Sequence, residues 1–295
     1  MDICFVKGYR GNAALRAGFN ALTQKVYGFD FEAWYQAGCW QDNYIPYSAA
    51  IGDRVIANVS VNPMLFSVSG EKKHYVQLGT VMTDPEFRGR GLSRKLMEWV
   101  LSDWQDRCDM IYLFANDSVL DFYPRFGFVS RPEYQAEKQV SSDACGTSVR
   151  HMDLSDPEDF RLLRNAARNA CPQSRLSMLH GENLVLFYCK YFSKWDIGKH
   201  VYHIPELDAV AVVAYSGETM ELYDLFAPKE FSLDAVLPVL ARPETRRVLL
   251  SFLPSDLSGW EISPYHAEDT TLFTLGEEGE RFSRERLRFA ELSHT

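Results

Sequence analysis

The chain has 295 residues, of which 46% are apolar and 24% charged, and a formal net charge of −9. These proportions exclude a disordered or collagen-like chain. The acidic balance argues against a nucleic-acid surface, because neutralising phosphates takes clustered Lys and Arg. The length suits two domains or one large one. No stretch approaches the ~20 apolar residues of a membrane span. Six cysteines (Cys4, Cys39, Cys108, Cys145, Cys171, Cys189) form no Cys-x-x-Cys pair. That spacing argues against a disulfide scaffold or a metal site, and for reduced thiols in a cytoplasmic setting. The start, MDICFVKGYR, has Asp2 and no long apolar run, unlike a secretory leader.

In chain order, MDICFVKGY predicts a short strand. Residues 12–28 then place Leu15, Phe19, Leu22 and Val26 at helical spacing, with Asn12 suited to cap the start and Gly28 to stop the end. DFEAWYQAGCW follows as a shorter helix. Residues 47–85 turn to Val, Ile and Tyr, punctuated by Gly-Asp, Asn-Pro and SGEKK, and predict three strands joined by hairpins. Leu92, Leu96, Val100 and Trp104 share one face of a helix. DMIYLFAN reads as a buried strand, SVLDFYPRFG as a short helix ended near Gly127, and FVSRPEYQAEKQV as a return to strand. The passage from 75 to 115 implies a crossover between parallel strands.

The polar SSDACGTS (141–148) reads as a linker, after which the same order of elements recurs. VRHMDL predicts a strand. DPEDFRLLRNAARNA predicts a helix with Asp156 as cap, Pro157 at its first position and Asp159 in its first turn. GENLVLFYCKYFSKW predicts a second helix. HVYHIPE, DAVAVVAYSG and TMELYDLFAP predict three strands, SLDAVLPVLA a helix and RRVLLSFLP a strand. The implied fold class is α/β (α+β): a mixed, mainly antiparallel sheet flanked by helices, present twice. GEEGERFSRERLRF near the C-terminus reads as a solvated mixed-charge face.

The two halves differ at one joint. In the first, VMTDPEFRGRGLSRKL links strand to helix; in the second, LFAPKEFSLDAVL does so without glycine or arginine. A plain basic turn is one reading. The other is an anion site, in which glycines let successive backbone N–H groups curl toward a phosphate at a helix start. GRGLSRKL lacks the P-loop spacing, and the third glycine of a dinucleotide fingerprint would fall at Arg94.

Here the residues resemble the GNAT superfamily of acyl-CoA-dependent N-acyltransferases. Its cofactor signature, R-x-x-G-x-G/A after a strand and a proline, is matched by Arg88, Gly89, Arg90, Gly91, Leu92 and Ser93, with Ser93 replacing the last small residue. A second signature follows in NDSVLDFYPRFGF, through Asn116, Tyr123, Gly127 and Phe128. The resemblance covers roughly residues 1–140 and implies a catalytic GNAT domain there. Residues 147–295 match in layout alone, like the degenerate second module of tandem members that lacks the pyrophosphate loop.

The resemblance implies acetyl-CoA as acyl donor, its pyrophosphate on the N–H groups of residues 88–93. The pantetheine arm would run beside Val81, Met82 and Thr83, with a backbone N–H near Met82 polarising the thioester carbonyl. Asn116 would touch that arm and Tyr123 would protonate the leaving thiolate. The glutamate that many members carry on the strand before the loop is replaced by Gln77, which could orient a water but is not a base. Asp30, Glu32 and His74 are substitutes, each with an ordinary surface role as the plain alternative. The Thr295 carboxylate is a further one, suggested by multi-domain members. The aromatic run 27–40 is core, or, by family layout, a wall over the site of a cationic or hydrophobic amine. The expected partner is a small-molecule or peptide amine, with no nucleic acid or membrane, and homodimer formation is left open. The alternative function is a non-catalytic acyl-CoA-binding sensor.

Overall fold

A computed structural model describes residues 2–140 and 149–294. The 141–148 linker, with Cys145, and Thr295 lie outside the described residues. The strands are β1 (Cys4–Lys7), β2 (Ile45–Ile51), β3 (Arg54–Val68), β4 (Glu71–Thr83), β5 (Met110–Ala115), β6 (Val129–Ser130), β7 (Glu133–Gln139) and β8 (Arg150–His151). They continue as β9 (Leu176–Leu179), β10 (Val201–Ile204), β11 (Ala209–Ser216), β12 (Thr219–Phe226), β13 (Arg247–Leu250), β14 (Glu261–Tyr265) and β15 (Thr271–Leu275). The α-helices are α1 (Ala13–Tyr27), α2 (Glu32–Gln36), α3 (Leu92–Trp104), α4 (Pro157–Asn169), α5 (Glu182–Leu186), α6 (Leu233–Leu240) and α7 (Glu278–Arg284). Among the described residues no helix is long and apolar enough to cross a membrane.

Local signals act where their chemistry is complete within a turn. Asn12 accepts from the N–H groups of Ala14 and Leu15, and Gly28 ends α1 in the left-handed region at φ 74°. Asp156 caps α4 by accepting from Glu158 N–H, with Pro157 at the first helical position. The Asn-Pro pair does not end a strand: β3 runs through Pro63 to Val68. β2 pairs with β3 only up to Val61 and β9 begins at Leu65, so Pro63 sits where that side of β3 has no neighbour.

The strands form two mixed, mainly antiparallel sheets flanked by helices. The first runs β1-β2-β3-β4-β5-β15-β6, with β9 also on β3; the second runs β14-β7-β13-β12-β11-β10-β8. In each, one parallel pair (β4 with β5, β12 with β13) brackets one helix (α3, α6). The sheets exchange strands across the 140/147 boundary. FVSRPEYQAEKQV splits into β6, which stays in the first sheet, and β7, which joins the second. In return β15 closes onto β5, and β9 extends along the far end of β3.

The cores follow from this weave. Alternate residues of the first sheet (Val76, Leu78, Ile111, Leu113) pack on Leu92, Leu96, Met97 and Val100 of α3. On the opposite face Phe66, Tyr75, Met110 and Tyr112 meet Phe282, Leu287 and Phe289 from the C-terminal segment. The 276–289 stretch is therefore not a solvated face. Phe282 and Phe289 are wholly buried, Arg288 is buried with them, and Glu278 and Arg281 bond across to Tyr75 and Val68 of the first sheet. A third core is shared: Phe19, Phe31 and Trp34 of the first half touch Leu184, Phe187, Val201 and Val212 of the second.

Phe289 stacks on Tyr112 at 4.0 Å between centroids and on Phe282 at 5.0 Å. Phe289→Ala should cost about 3–5 kcal/mol. Because each sheet takes strands from both halves of the chain, denaturant unfolding followed by tryptophan fluorescence and by far-UV circular dichroism should give one coincident transition, shifted as a whole in the variant.

Candidate active site

The first sheet opens where its two parallel strands part. The pairing of β4 with β5 ends at Gln77 opposite Tyr112, yet β4 continues to Thr83 and β5 to Ala115. Beyond that point a bulge lies in β4. Asn58 pairs with Met82 and Ser60 with Gly79, so Thr80 and Val81 face the single Val59. Thr80 adopts φ 49°, costly for a β-branched residue, and buried polar groups hold it there. Asn58 Nδ2 donates to its carbonyl at 2.9 Å, and the Tyr44 and Thr80 hydroxyls share a bond of 2.7 Å. The Val81 carbonyl accepts from Tyr27 Oη at 2.7 Å.

The chain leaves β4 through a 3₁₀ turn (Pro85–Phe87) and enters α3 through Arg88, Gly89, Arg90 and Gly91. Gly89 and Gly91 take φ 75° and 73°, and a Cβ added to either would meet nothing within 4 Å. The glycines thus answer to backbone conformation, with open space before them. α3 has no side-chain cap and no acidic residue in its first turn, leaving its first N–H groups and positive dipole end for an anion. Thr83 and Ser93 hydroxyls join strand end to helix start at 2.8 Å.

Both features open into one cavity of about 1130 Å³. It is lined by Val81, Met82, Thr83, Arg88, Gly89, Arg90, Gly91, Leu92, Ser93, Asn116 and Tyr123, which brings eleven of the twelve expected site residues together. Gln77 is absent from the lining; it is wholly buried at the last β4–β5 pair. Asn116 is already engaged: its Nδ2 donates to the carboxylate (2.9 Å) and carbonyl (3.2 Å) of Asp269, in the turn before β15. Tyr123 is buried, and that burial, with Tyr27 nearby, raises its phenol well above the ordinary range. Tyr27 itself is pushed up to about 12 by burial.

None of Asp30, Glu32 or His74 reaches this cavity. Asp30 accepts from Glu32 N–H at the start of α2. Glu32 is held below the usual carboxylate range, first by its hydrogen bond from Arg16 at 3.0 Å. His74 is exposed on β4, and Thr295 lies outside the described residues.

The family model of the acetyltransferase (GNAT) domain matches residues 12–130, the stretch that carries the parted strands, the glycine turn and Tyr123. Over that stretch the chain has the sequence pattern of a GNAT acetyltransferase domain. A stretch of 54 residues is 41% identical to GCN5-related N-acetyltransferase 2, chloroplastic, of Arabidopsis thaliana. The match spans 18% of this chain and only 21% of that protein. Two solved structures are similar over nearly the whole chain. One, a probable N-acyltransferase of Enterococcus faecalis, has TM-score 0.58 and 15% identity, covering 93% of this chain and 72% of its own. The other, a GCN5-related N-acetyltransferase of Kribbella flavida, has TM-score 0.53 and 15% identity, covering 92% and 71%. At that identity the likeness is one of fold.

The GNAT-like stretch does not enclose the cavity alone. The second half supplies Met178, Leu179 and His180 from β9 and its turn, Leu184 from α5, and Phe187, Tyr188, Phe192 and Trp195 beyond it. α5 widens into a π turn over Phe187–Tyr191, which sets these rings against the 27–34 run. Phe187 stacks on Phe31 at 5.2 Å, Phe192 meets Phe29 edge-on at 4.9 Å, and Trp34 Nε1 donates to the Asn183 carbonyl at 2.8 Å. The sequence reading missed these wall residues, although four aromatics within FYCKYF were a visible signal. It also missed His294, which lines the cavity from the far end of the chain and carries no local signal at all.

Asp84 anchors the glycine turn of the GNAT domain. It accepts from Glu86 N–H, from Lys25 of α1 at 2.7 Å and from Arg54 of β3 at 2.7 Å. Burial alone would raise its carboxyl, but these hydrogen bonds outweigh it and hold the group at about 2. A depressed carboxylate stabilises the fold above its unfolded value, 3.8, and ceases to do so as pH falls through about 2. Asp84→Asn should therefore cost about 1–2 kcal/mol at pH 7. Paired urea melts should show that gap narrowing from pH 4 downward and closing near pH 2.

Proposed function

We propose that the protein is an N-acetyltransferase that moves the acetyl group of acetyl-CoA to a primary amine by direct attack. One observation carries this reading: the uncapped start of α3, the bulged edge of β4 and Tyr123 all face a single cavity at the point where β4 and β5 part. The pyrophosphate suits the N–H groups of residues 88–93, with Arg88 and Arg90 adding charge-assisted hydrogen bonds. The pantetheine arm suits the gap beside Val81, Met82 and Thr83. A backbone N–H near Met82 would polarise the thioester carbonyl and stabilise the oxyanion formed when the amine attacks. Asn116 can offer the arm its side-chain oxygen, since its amide nitrogen is bound to Asp269.

Burial sharpens the role of Tyr123. A phenol raised this far stays protonated at pH 7, but full proton transfer to a thiolate near ~8.5 is uphill by several kcal/mol. Tyr123 thus serves first as an O–H donor to the developing thiolate, and the proton follows as sulfur departs. The second half, read as a degenerate GNAT-like module in a tandem chain, forms the acceptor wall. Its rings and the absence of Asp and Glu from the described lining favour an amine with an apolar or aromatic body over a polycation, whose extra charges would be desolvated without partners. The same absence also favours the second reading, an acyl-CoA-binding sensor without turnover.

Calorimetry should give micromolar acetyl-CoA affinity for the wild type. Gly91→Asp, which sets a charged side chain at φ 73° against the anion, should weaken it by at least ~30-fold. No binding by the wild type would remove both readings. Tyr123→Phe should lower kcat by about 10–100-fold in a thiol-release assay over an amine panel, while acetyl-CoA affinity stays within about twofold. Wild-type binding without turnover of any amine would favour the sensor.

A further inference from the structure

We infer that His294 is the proton acceptor of acyl transfer: from beside the parting of β4 and β5, its Nε2 takes the proton that the attacking amine must lose. The inference rests on the acetyltransferase reading above. A primary amine enters near pKa ~10.4 and becomes more acidic as its nitrogen bonds to carbon, so a group must receive its proton.

The described lining leaves few acceptors. It contains no Asp, Glu or Lys. Its four arginines (Arg88, Arg90, Arg94, Arg125) are permanently charged. Burial drives Tyr27, Tyr44, Tyr123 and Tyr188 further into their protonated forms. His180 is exposed at the rim, with Nδ1 against the Arg168 carbonyl at 3.1 Å. His294 remains.

Its geometry suits the task. The ring stacks on Phe114 at 3.9 Å between centroids, two residues past Tyr112, the last β5 residue paired with β4. The backbone around it is pinned. The His294 carbonyl accepts from Tyr188 Oη at 2.9 Å, the Ser293 carbonyl from Tyr112 Oη at 3.5 Å, and Ser293 Oγ donates to the Ala290 carbonyl at 2.7 Å. One ring nitrogen is hydrogen-bonded to the Phe289 backbone. Nε2 is buried and has no partner among the described residues. This arrangement puts the proton on Nδ1 and leaves the Nε2 lone pair to accept. A buried orphan nitrogen costs stability, and a catalytic role explains its retention.

The charged groups around the ring act in opposite directions. Burial lowers the imidazole below its ordinary 6.5; Glu291 raises it, Arg288 lowers it, and the Phe289 bond raises it. The ring therefore stays neutral at pH 7. In the reaction the amine nitrogen forms a bond to the acetyl carbon, the carbon–sulfur bond breaks and its electron pair leaves on sulfur with the Tyr123 O–H beside it. The nitrogen's proton passes to Nε2 while the Tyr123 proton passes to sulfur; Nε2 then gives its proton up to solvent and Tyr123 regains one, so the amide and free thiol depart with no net proton change.

The test compares wild type with His294→Asn, whose amide can still donate to the Phe289 carbonyl, and with His294→Gln as a second form should the first melt early. Melting temperature and calorimetric acetyl-CoA affinity identify a variant that folds and binds. In that variant kcat should fall by about 10²-fold at pH 7.5. The ratio of wild-type to variant rates cancels the acceptor's own ionisation, and should drop toward one as pH falls below 6.5. A variant within about threefold of wild type, or a ratio independent of pH, would overturn the assignment while leaving the acetyltransferase reading intact. A wild type that turns over no amine removes both.

Discussion

Everything at this site depends on two neighbouring parallel strands ceasing to pair. A sheet interior left open exposes backbone donors and acceptors, which is tolerable only where something holds the strands apart and something else occupies the space. Here the holding is done by the bulge at Thr80, clamped from below by Asn58 and Tyr44. Asn58 also accepts from Ser48 and donates to Ser60, so the strained residue rests on a buried polar chain rather than on one bond. On the other side, β5 is kept in place by β15, whose pairing runs to Ala115, past the point where β4 leaves it.

That support comes from the second half of the chain, and it joins the halves mechanically. β15 is a first-sheet strand drawn from residues 271–275, and β7 is a second-sheet strand drawn from residues 133–139. Neither sheet can be completed by its own half. The exchange also brings the C-terminal segment across the face of the first sheet opposite α3, where Phe289 lies flat on Tyr112 and His294 on Phe114. One wall of the cavity is thus built by residues far from the glycine turn in sequence, and the other by residues close to it.

The division between the two sides explains what could be read in advance. Gly89 and Gly91 were legible as backbone residues because a left-handed turn before a helix demands them whatever surrounds it. The crossover from β4 through α3 to β5 was legible because the strand, loop and helix patterns are consecutive. Tyr123 and Asn116 were legible as a motif, but not the engagement of Asn116 by Asp269, which lies 153 residues away. β9 escaped notice since a four-residue strand carries almost no periodic signal. The burial of α7 was misjudged because four charges in a seven-residue helix outweighed one Phe282 that faces inward.

By itself the sequence determined the elements whose causes are local: the Asn12 cap and Gly28 stop of α1, the Asp156 cap and Pro157 start of α4, and the consecutive strand, loop, helix and strand from β4 to β5. Each depends on backbone sterics and hydrogen bonds closed within a turn or two. Only the tertiary structure decided which sheet β7, β9 and β15 join, that Gln77 lies outside the cavity, and that Tyr188 and His294, 106 residues apart, meet beside it. An alternating strand pattern states that one face will be buried, but not against what. That choice is made by the burial of Phe282, Phe289 and their distant partners in a common core, which no short window of residues contains.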